Sequence, residues 1–252
     1  MTAPRTALIT GAAGGIGQSS AQYFSDKGWR VIGIDRSPYP GTFPIEGLFI
    51  QHDIADPNHL DALFHTVFDF SGELHALVNN AAVQIAKPLL ETSIEEWEEV
   101  MNVNVRAAFL MTQHAYPLLK AAHGAVVNVS SVHAVATSAD IATYAASKGA
   151  LLALTRAMAI EFAPDDVRAN AILPGAVDTG MLREGLARAH VSGASVEERM
   201  DALASKTVIQ RVGTPQEIAA AIYFLADNDQ SSFMTGQPLI VDGGATTRLS
   251  TE

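Results

Sequence analysis

Apolar residues in this chain follow two alternating rhythms. Short runs dense in Val, Ile, Leu and Ala predict strands at residues 5–10, 30–35, 47–51, 75–79, 124–130, 167–173 and 237–241. Between them, apolar positions spaced three to four residues apart predict helices near 15–27, 57–70, 93–121, 142–163 and 215–227. Several strand runs are almost continuously apolar, as in Ala125-Val126-Val127-Asn128-Val129. Strands of that kind have both faces covered. They predict an α/β fold with a doubly wound parallel sheet of about seven strands and helices on both faces. No repeat, low-complexity tract or linker divides the chain, so residues 1–252 are expected to form a single domain.

One segment breaks the rhythm. Residues 180–213 hold no strand pattern, only short helical pieces, one of them opened by Ser195-Val196-Glu197-Glu198 with capping-box spacing. A break is expected at His190-Val191-Ser192-Gly193-Ala194. An irregular stretch this long inside a compact domain is expected to act as a lid over a site.

Composition narrows the chemistry. Hydrophobic residues make up 48% of the chain and charged ones 17%, which fits a globular protein and not a disordered one. No run approaches the ~18 apolar residues of a membrane span, so no membrane partner is expected. The first strand begins by Thr6 and leaves no room for a signal peptide, so a cytoplasmic location is expected. The net charge of −11, with no basic cluster, argues against a nucleic-acid partner. There is no cysteine, and the eight histidines show no ligand spacing, so no metal site is expected.

Two local patterns carry the candidate chemistry. The first strand runs straight into Gly11-Ala12-Ala13-Gly14-Gly15-Ile16-Gly17 and then a helix. This strand, glycine turn and helix start is the context in which backbone N–H groups receive a pyrophosphate. Asp35 closes the next strand, eighteen residues after Gly17, where a carboxylate suits a ribose 2′-hydroxyl. Arg36 beside it suits a 2′-phosphate instead, but Asp35 would repel that phosphate and no basic residue lies between Gly11 and Gly15. NAD is therefore expected ahead of NADP. In the second pattern, Tyr144 and Lys148 stand four residues apart and share a helix face. A cation there favours the phenolate of a tyrosine whose ordinary pKa is ~10.

With these residues in place, the chain resembles the short-chain dehydrogenase/reductase family, in its form of about 250 residues, over essentially its whole length. Thr10-Gly11-x-x-x-Gly15-Ile16-Gly17 is similar to the family's cofactor turn, and Asp53-Ile54 stands where the family contacts adenine. Asn79-Asn80-Ala81-Ala82 resembles its Asn-Asn-Ala-Gly motif, with alanine in the last place. Asn104, Ser131, Tyr144 and Lys148 match its catalytic residues. Pro174-Gly175-Ala176-Val177-Asp178-Thr179 is similar to its loop beside the nicotinamide, and Thr235-Gly236-Gln237 and Val241-Asp242-Gly243-Gly244 are also typical.

The resemblance implies a Rossmann fold and hydride transfer between nicotinamide and a secondary alcohol or ketone. By that resemblance, Tyr144 is the acid/base, Lys148 lowers its pKa and binds the nicotinamide ribose, Ser131 holds the substrate oxygen, and Asn104 holds a proton-relay water. Ser130 rivals Ser131 by position alone, and the thirteen-residue spacing to Tyr144 favours Ser131. His133 and Gln84 come from loops that face substrate in this fold, and each is equally open to a surface role. A polar pocket mouth places sugars, polyols and hydroxy acids first among small-molecule substrates. A 3-oxoacyl reductase and a non-catalytic nucleotide sensor are the alternatives, whereas enoyl reduction in this family uses a wider Tyr–Lys spacing. Relatives are commonly tetramers, so a homotetramer is expected.

Overall fold

The computed structural model describes residues 4–44, 46–188 and 195–247. Seven strands form one parallel sheet: β1 (Thr6–Thr10), β2 (Arg30–Asp35), β3 (Leu48–Gln51), β4 (Ala76–Asn79), β5 (Ala125–Val129), β6 (Arg168–Pro174) and β7 (Pro238–Val241). Their order is β3-β2-β1-β4-β5-β6-β7, so the winding reverses between β1 and β4. The expected strands all form, with ends shifted by a residue at most. The expected break at 190–194 lies outside the described residues.

Period-2 alternation divides the core into two layers. Leu8, Ile32, Leu77 and Val126 point to one face, where helices α2 (Leu60–Ser71), α4 (Ala107–Ala122) and α5 (Ala142–Phe162) cover them. Ile9, Val31, Val78 and Val127 point to the other, against α1 (Gly15–Asp26) and α8 (Pro215–Ala226). These side chains are almost fully buried, and each contributes on the order of 1.5–3 kcal/mol of transfer free energy. The doubly wound sheet follows from strands that are apolar on both sides.

The pattern over 93–121 is not one continuous helix. Ser93 and Glu96 form a capping box that opens α3 (Ile94–Met101). A π turn at Asn102–Arg106 follows before α4 begins. The wider turn is where Asn104 reaches sideways to the backbone of Val83, accepting from its N–H at 2.8 Å and donating to its carbonyl at 2.9 Å. Such single π turns recur at functional sites. Within 180–213, α6 (Gly180–Arg188) and α7 (Val196–Ala204) form, and the Ser195–Glu198 capping box starts α7. A short helix α9 (Asn228–Ser231) precedes β7. Among the described residues, no helix is long and apolar enough to cross a membrane.

Candidate active site

A cavity of about 740 Å³ opens at the carboxyl ends of the strands, where the sheet order reverses. Open α/β sheets bind ligands at this position. The glycine turn forms its floor. Gly11 has φ +65°, and a Cβ there would lie 2.8 Å from the Cα of Ala81. A Cβ on Gly17 would lie 2.0 Å from the carbonyl oxygen of Gly11. Only glycine lets the turn fold back under the helix start. Gly14 caps α1 with no side-chain hydrogen bond, which leaves the first N–H groups of the helix free for an anion.

Gly11, Gly15 and Ile16 line the cavity, and Gly17 does not, since its part is to let the turn close. Asp35, Arg36, Asp53 and Ile54 line the far end, beyond β2 and β3. Asp35 accepts from the N–H of Ala13 and from that of Ser37, each at 2.9 Å, so its carboxylate is already fixed against the turn. Asn80 and Ala81 line the middle. The amide of Asn80 donates to the carbonyls of Thr10 at 3.0 Å and Gly11 at 3.1 Å, tying β4 to the turn. Pro174, Gly175, Val177 and Thr179 line the opposite wall. Thr179 closes on the turn from that side, its Cγ2 lying 3.0 Å from where a Gly15 Cβ would stand.

Ser131, Tyr144 and Lys148 meet at the carboxyl end of β5, and all three are buried. The Nζ of Lys148 donates to the carbonyl of Val129 at 2.7 Å and stands 5.5 Å from the centre of the Tyr144 ring. Burial pushes the Tyr144 phenol up to about 12, opposed by a hydrogen bond with Ser131 that pulls it down. Burial pulls the Lys148 ammonium down to about 7. Desolvation favours the neutral form of both groups.

The two serines take different roles. Ser130 spends its hydroxyl on the carbonyl of Lys148 at 2.8 Å, whereas Ser131 accepts from the N–H of His133 at 3.2 Å and bonds Tyr144. His133 lines the cavity, packs edge-on to Tyr144 at 5.9 Å and pairs through Nδ1 with Thr137 at 3.0 Å. Burial lowers its pKa. Gln84 lines the same region beside α6. Asn104 does not line the cavity. It is buried behind it and bonds Ser147, on the Tyr144 helix, at 3.0 Å.

Sequence reasoning missed several lining residues, among them Gln18, His52 and Lys206. It also missed a buried amide chain in the sheet. Asn79 donates to Thr112 at 3.1 Å and to Asn128 at 2.8 Å, and Asn128 donates to Thr155 at 2.9 Å. The signal was present as an asparagine inside an otherwise apolar strand. Among the described residues, no cluster of His, Asp or Glu suits a metal ion.

A doubly wound sheet with a glycine turn at its switch point belongs to the Rossmann class. Comparison with known proteins narrows this further. A short-chain alcohol dehydrogenase family model described as "Enoyl-(Acyl carrier protein) reductase" matches residues 11–246. The chain belongs to the short-chain dehydrogenase/reductase family of oxidoreductases. It is 33% identical to cyclopentanol dehydrogenase of Comamonas testosteroni, over 96% of this chain and 97% of the relative. The ligand-free structure of Thermoplasma acidophilum aldohexose dehydrogenase superposes with a TM-score of 0.91 at 30% identity, covering 98% of this chain and 96% of that one. Solved neighbours carry both cofactor types. A 4-hydroxyisoleucine dehydrogenase holds NADH (29% identity, TM-score 0.85, 97% and 100% coverage). ElxO holds NADP (27% identity, TM-score 0.86, 97% and 100% coverage).

Proposed function

We propose that this protein is an NAD-dependent oxidoreductase that moves a hydride between nicotinamide and a secondary alcohol or ketone of a small polar molecule, a sugar, polyol or hydroxy acid. The observation that carries this is the meeting of Ser131, Tyr144 and Lys148 at the cavity wall, with the Lys148 Nζ 5.5 Å from the centre of the Tyr144 ring. The uncapped start of α1 and the fixed carboxylate of Asp35 fit the pyrophosphate and the adenosine ribose of NAD. When bound, NAD supplies the hydride acceptor. Ser131 then holds the reacting oxygen, and the Tyr144 hydroxyl takes or returns its proton as general acid/base. Lys148 supports the phenolate while it keeps its own proton, and Asn104 holds the loop at Val83 and the Tyr144 helix in register.

Helices α6 and α7 act as the lid in this proposal, because Met181, Leu182, Glu184 and Leu203 line the cavity from them. A homotetramer is part of it too: Leu90, Ile160 and Phe233 stand exposed on the surface, and light scattering would test it. A panel of secondary alcohols, sugars and ketones with NAD and NADP, followed at the reduced-nicotinamide absorbance, tests the activity. Tyr144→Phe is expected to fold and bind NAD while losing 10²–10⁴-fold in kcat. A variant retaining more than about a tenth of the wild-type rate would make Tyr144 a packing residue. Turnover confined to acyl thioesters would identify a 3-oxoacyl reductase, and no turnover with any substrate would favour a nucleotide sensor.

A further inference from the structure

Three cationic side chains line the cavity, and two have an evident setting. Lys148 is buried and donates to the carbonyl of Val129 at 2.7 Å. Arg36 stands at the opposite end, next to the Asp35 carboxylate. The third, Lys206, lies just past α7 and has no ion pair or side-chain hydrogen bond among the described residues. The lid acid that lines the cavity, Glu184, is engaged in an interaction of its own.

The lysine's backbone is firmly mounted. The neighbouring Thr207 is buried, and its hydroxyl lies 2.9 Å from the carbonyl of Ala204 and 3.1 Å from that of Arg211 while accepting from the N–H of Arg211 at 3.2 Å. The N–H of Val208 donates to the carbonyl of Gly243 at 2.8 Å. The root of Lys206 is thus held to the C-terminal loop, while its long side chain is exposed at the cavity. Met181, Leu182 and Leu203 give the lid's share of the lining an apolar character.

We infer that Lys206 receives a carboxylate of the substrate, so that the site selects hydroxy acids and oxo acids whose charged group is set apart from the reacting carbon by an apolar spacer. This rests on the proposed oxidoreductase activity and specifies its substrate class. The reacting oxygen sits between Ser131 and Tyr144, the spacer lies against the lid's apolar side chains, and the carboxylate meets the ammonium. A single lysine is a compact point charge. With no second cation on that wall among the described residues, it matches a monoanion better than a phosphate dianion. An exposed pair contributes little, and its worth rises as a closing lid removes water.

The test uses matched substrates: oxo acids with the ketone two to four carbons from the carboxylate, and the methyl ester of each. Wild-type kcat/KM is expected to favour acid over ester at least tenfold for one spacer length. Lys206→Met is expected to remove that preference, chiefly through KM of the acid, and Lys206→Arg to retain most of it. NAD affinity, read by fluorescence titration, is expected to stay within about twofold in both variants. Equal losses for acid and ester, or weaker NAD binding, would show that Lys206 serves the cofactor or the lid and would overturn the inference. Turnover of esters with no preference for acids overturns it alone. Absence of turnover with either member of every pair overturns this inference, and the oxidoreductase function falls only if the panel of alcohols, sugars and ketones is also not turned over.

Discussion

Asp35 offers the sharpest quantitative test of cofactor choice. Its carboxylate accepts from the N–H of Ala13 and from that of Ser37, both at 2.9 Å, so it cannot swing away from an incoming group. A 2′-phosphate placed ~4 Å from it would meet ~4 kcal/mol of repulsion per charge at an effective dielectric of ~20. Solvent ions with a Debye length of ~8 Å reduce this, as does Arg36 where it turns inward. A residual of ~1.4 kcal/mol is the least expected, which is a tenfold preference for NAD in kcat/KM. The assay is initial rates with each cofactor at saturating substrate. Asp35→Ala should narrow or reverse the ratio while also weakening NAD, because two backbone donors lose their acceptor at ~1 kcal/mol each. Asp35→Asn removes the charge and keeps one of the two acceptor oxygens, so it relieves the repulsion with less loss of turn support than Asp35→Ala. Comparable wild-type efficiency with NAD and NADP, or an unchanged ratio in Asp35→Asn, would refute the electrostatic argument.

Three further outcomes are expected. Asn128→Leu should lower stability by about 1–3 kcal/mol, since Asn79 and Thr155 each lose a buried partner; an unchanged thermal midpoint would refute it. The Lys148 ammonium is held near 7 against an ordinary 10.5, so the unfolded chain binds the additional proton between those values and stability should rise with pH across that window. Urea midpoints of wild type and Lys148→Met, compared from pH 7 to 9.5, should show that slope only in wild type. Helices α6 and α7 should gain hydrogen-exchange protection when NAD and substrate are both present, and equal protection with and without them would rule out a lid.

The sheet was legible because each strand is a short apolar run between turn residues, and the runs at 30–35 and 125–129 carry the period-2 layering almost without interruption. The placement of Tyr144 beside Lys148 was legible from helical spacing alone. What depends on depth was not. Nothing in Tyr-x-x-x-Lys reveals that both groups are desolvated, which favours the neutral form of each. The π turn at Asn102–Arg106 escaped notice because the apolar pattern of 93–121 continues through it. Lys206 escaped too, since its place at the cavity comes from the tertiary bond of Val208 to Gly243, which no local pattern encodes.

The bridge between Val177 and Gly213 has a consequence for how this protein can diversify. The N–H of Asp178 donates to the carbonyl of Gly213 at 2.9 Å, and the N–H of Gly213 to that of Ala176 at 2.9 Å. The chain therefore leaves the body and returns beside its point of departure, with α6, α7 and Lys206 in between, and Val208 and Ile209 fasten the return to Gly243. Lengthening such a loop costs only ~0.6 kcal/mol for each doubling. Insertions and exchanges between Gly180 and Lys206 can reshape that wall of the cavity while the strand register and the glycine turn stay untouched. New specificities are then reached by replacing one piece, and the rest of the site is inherited whole.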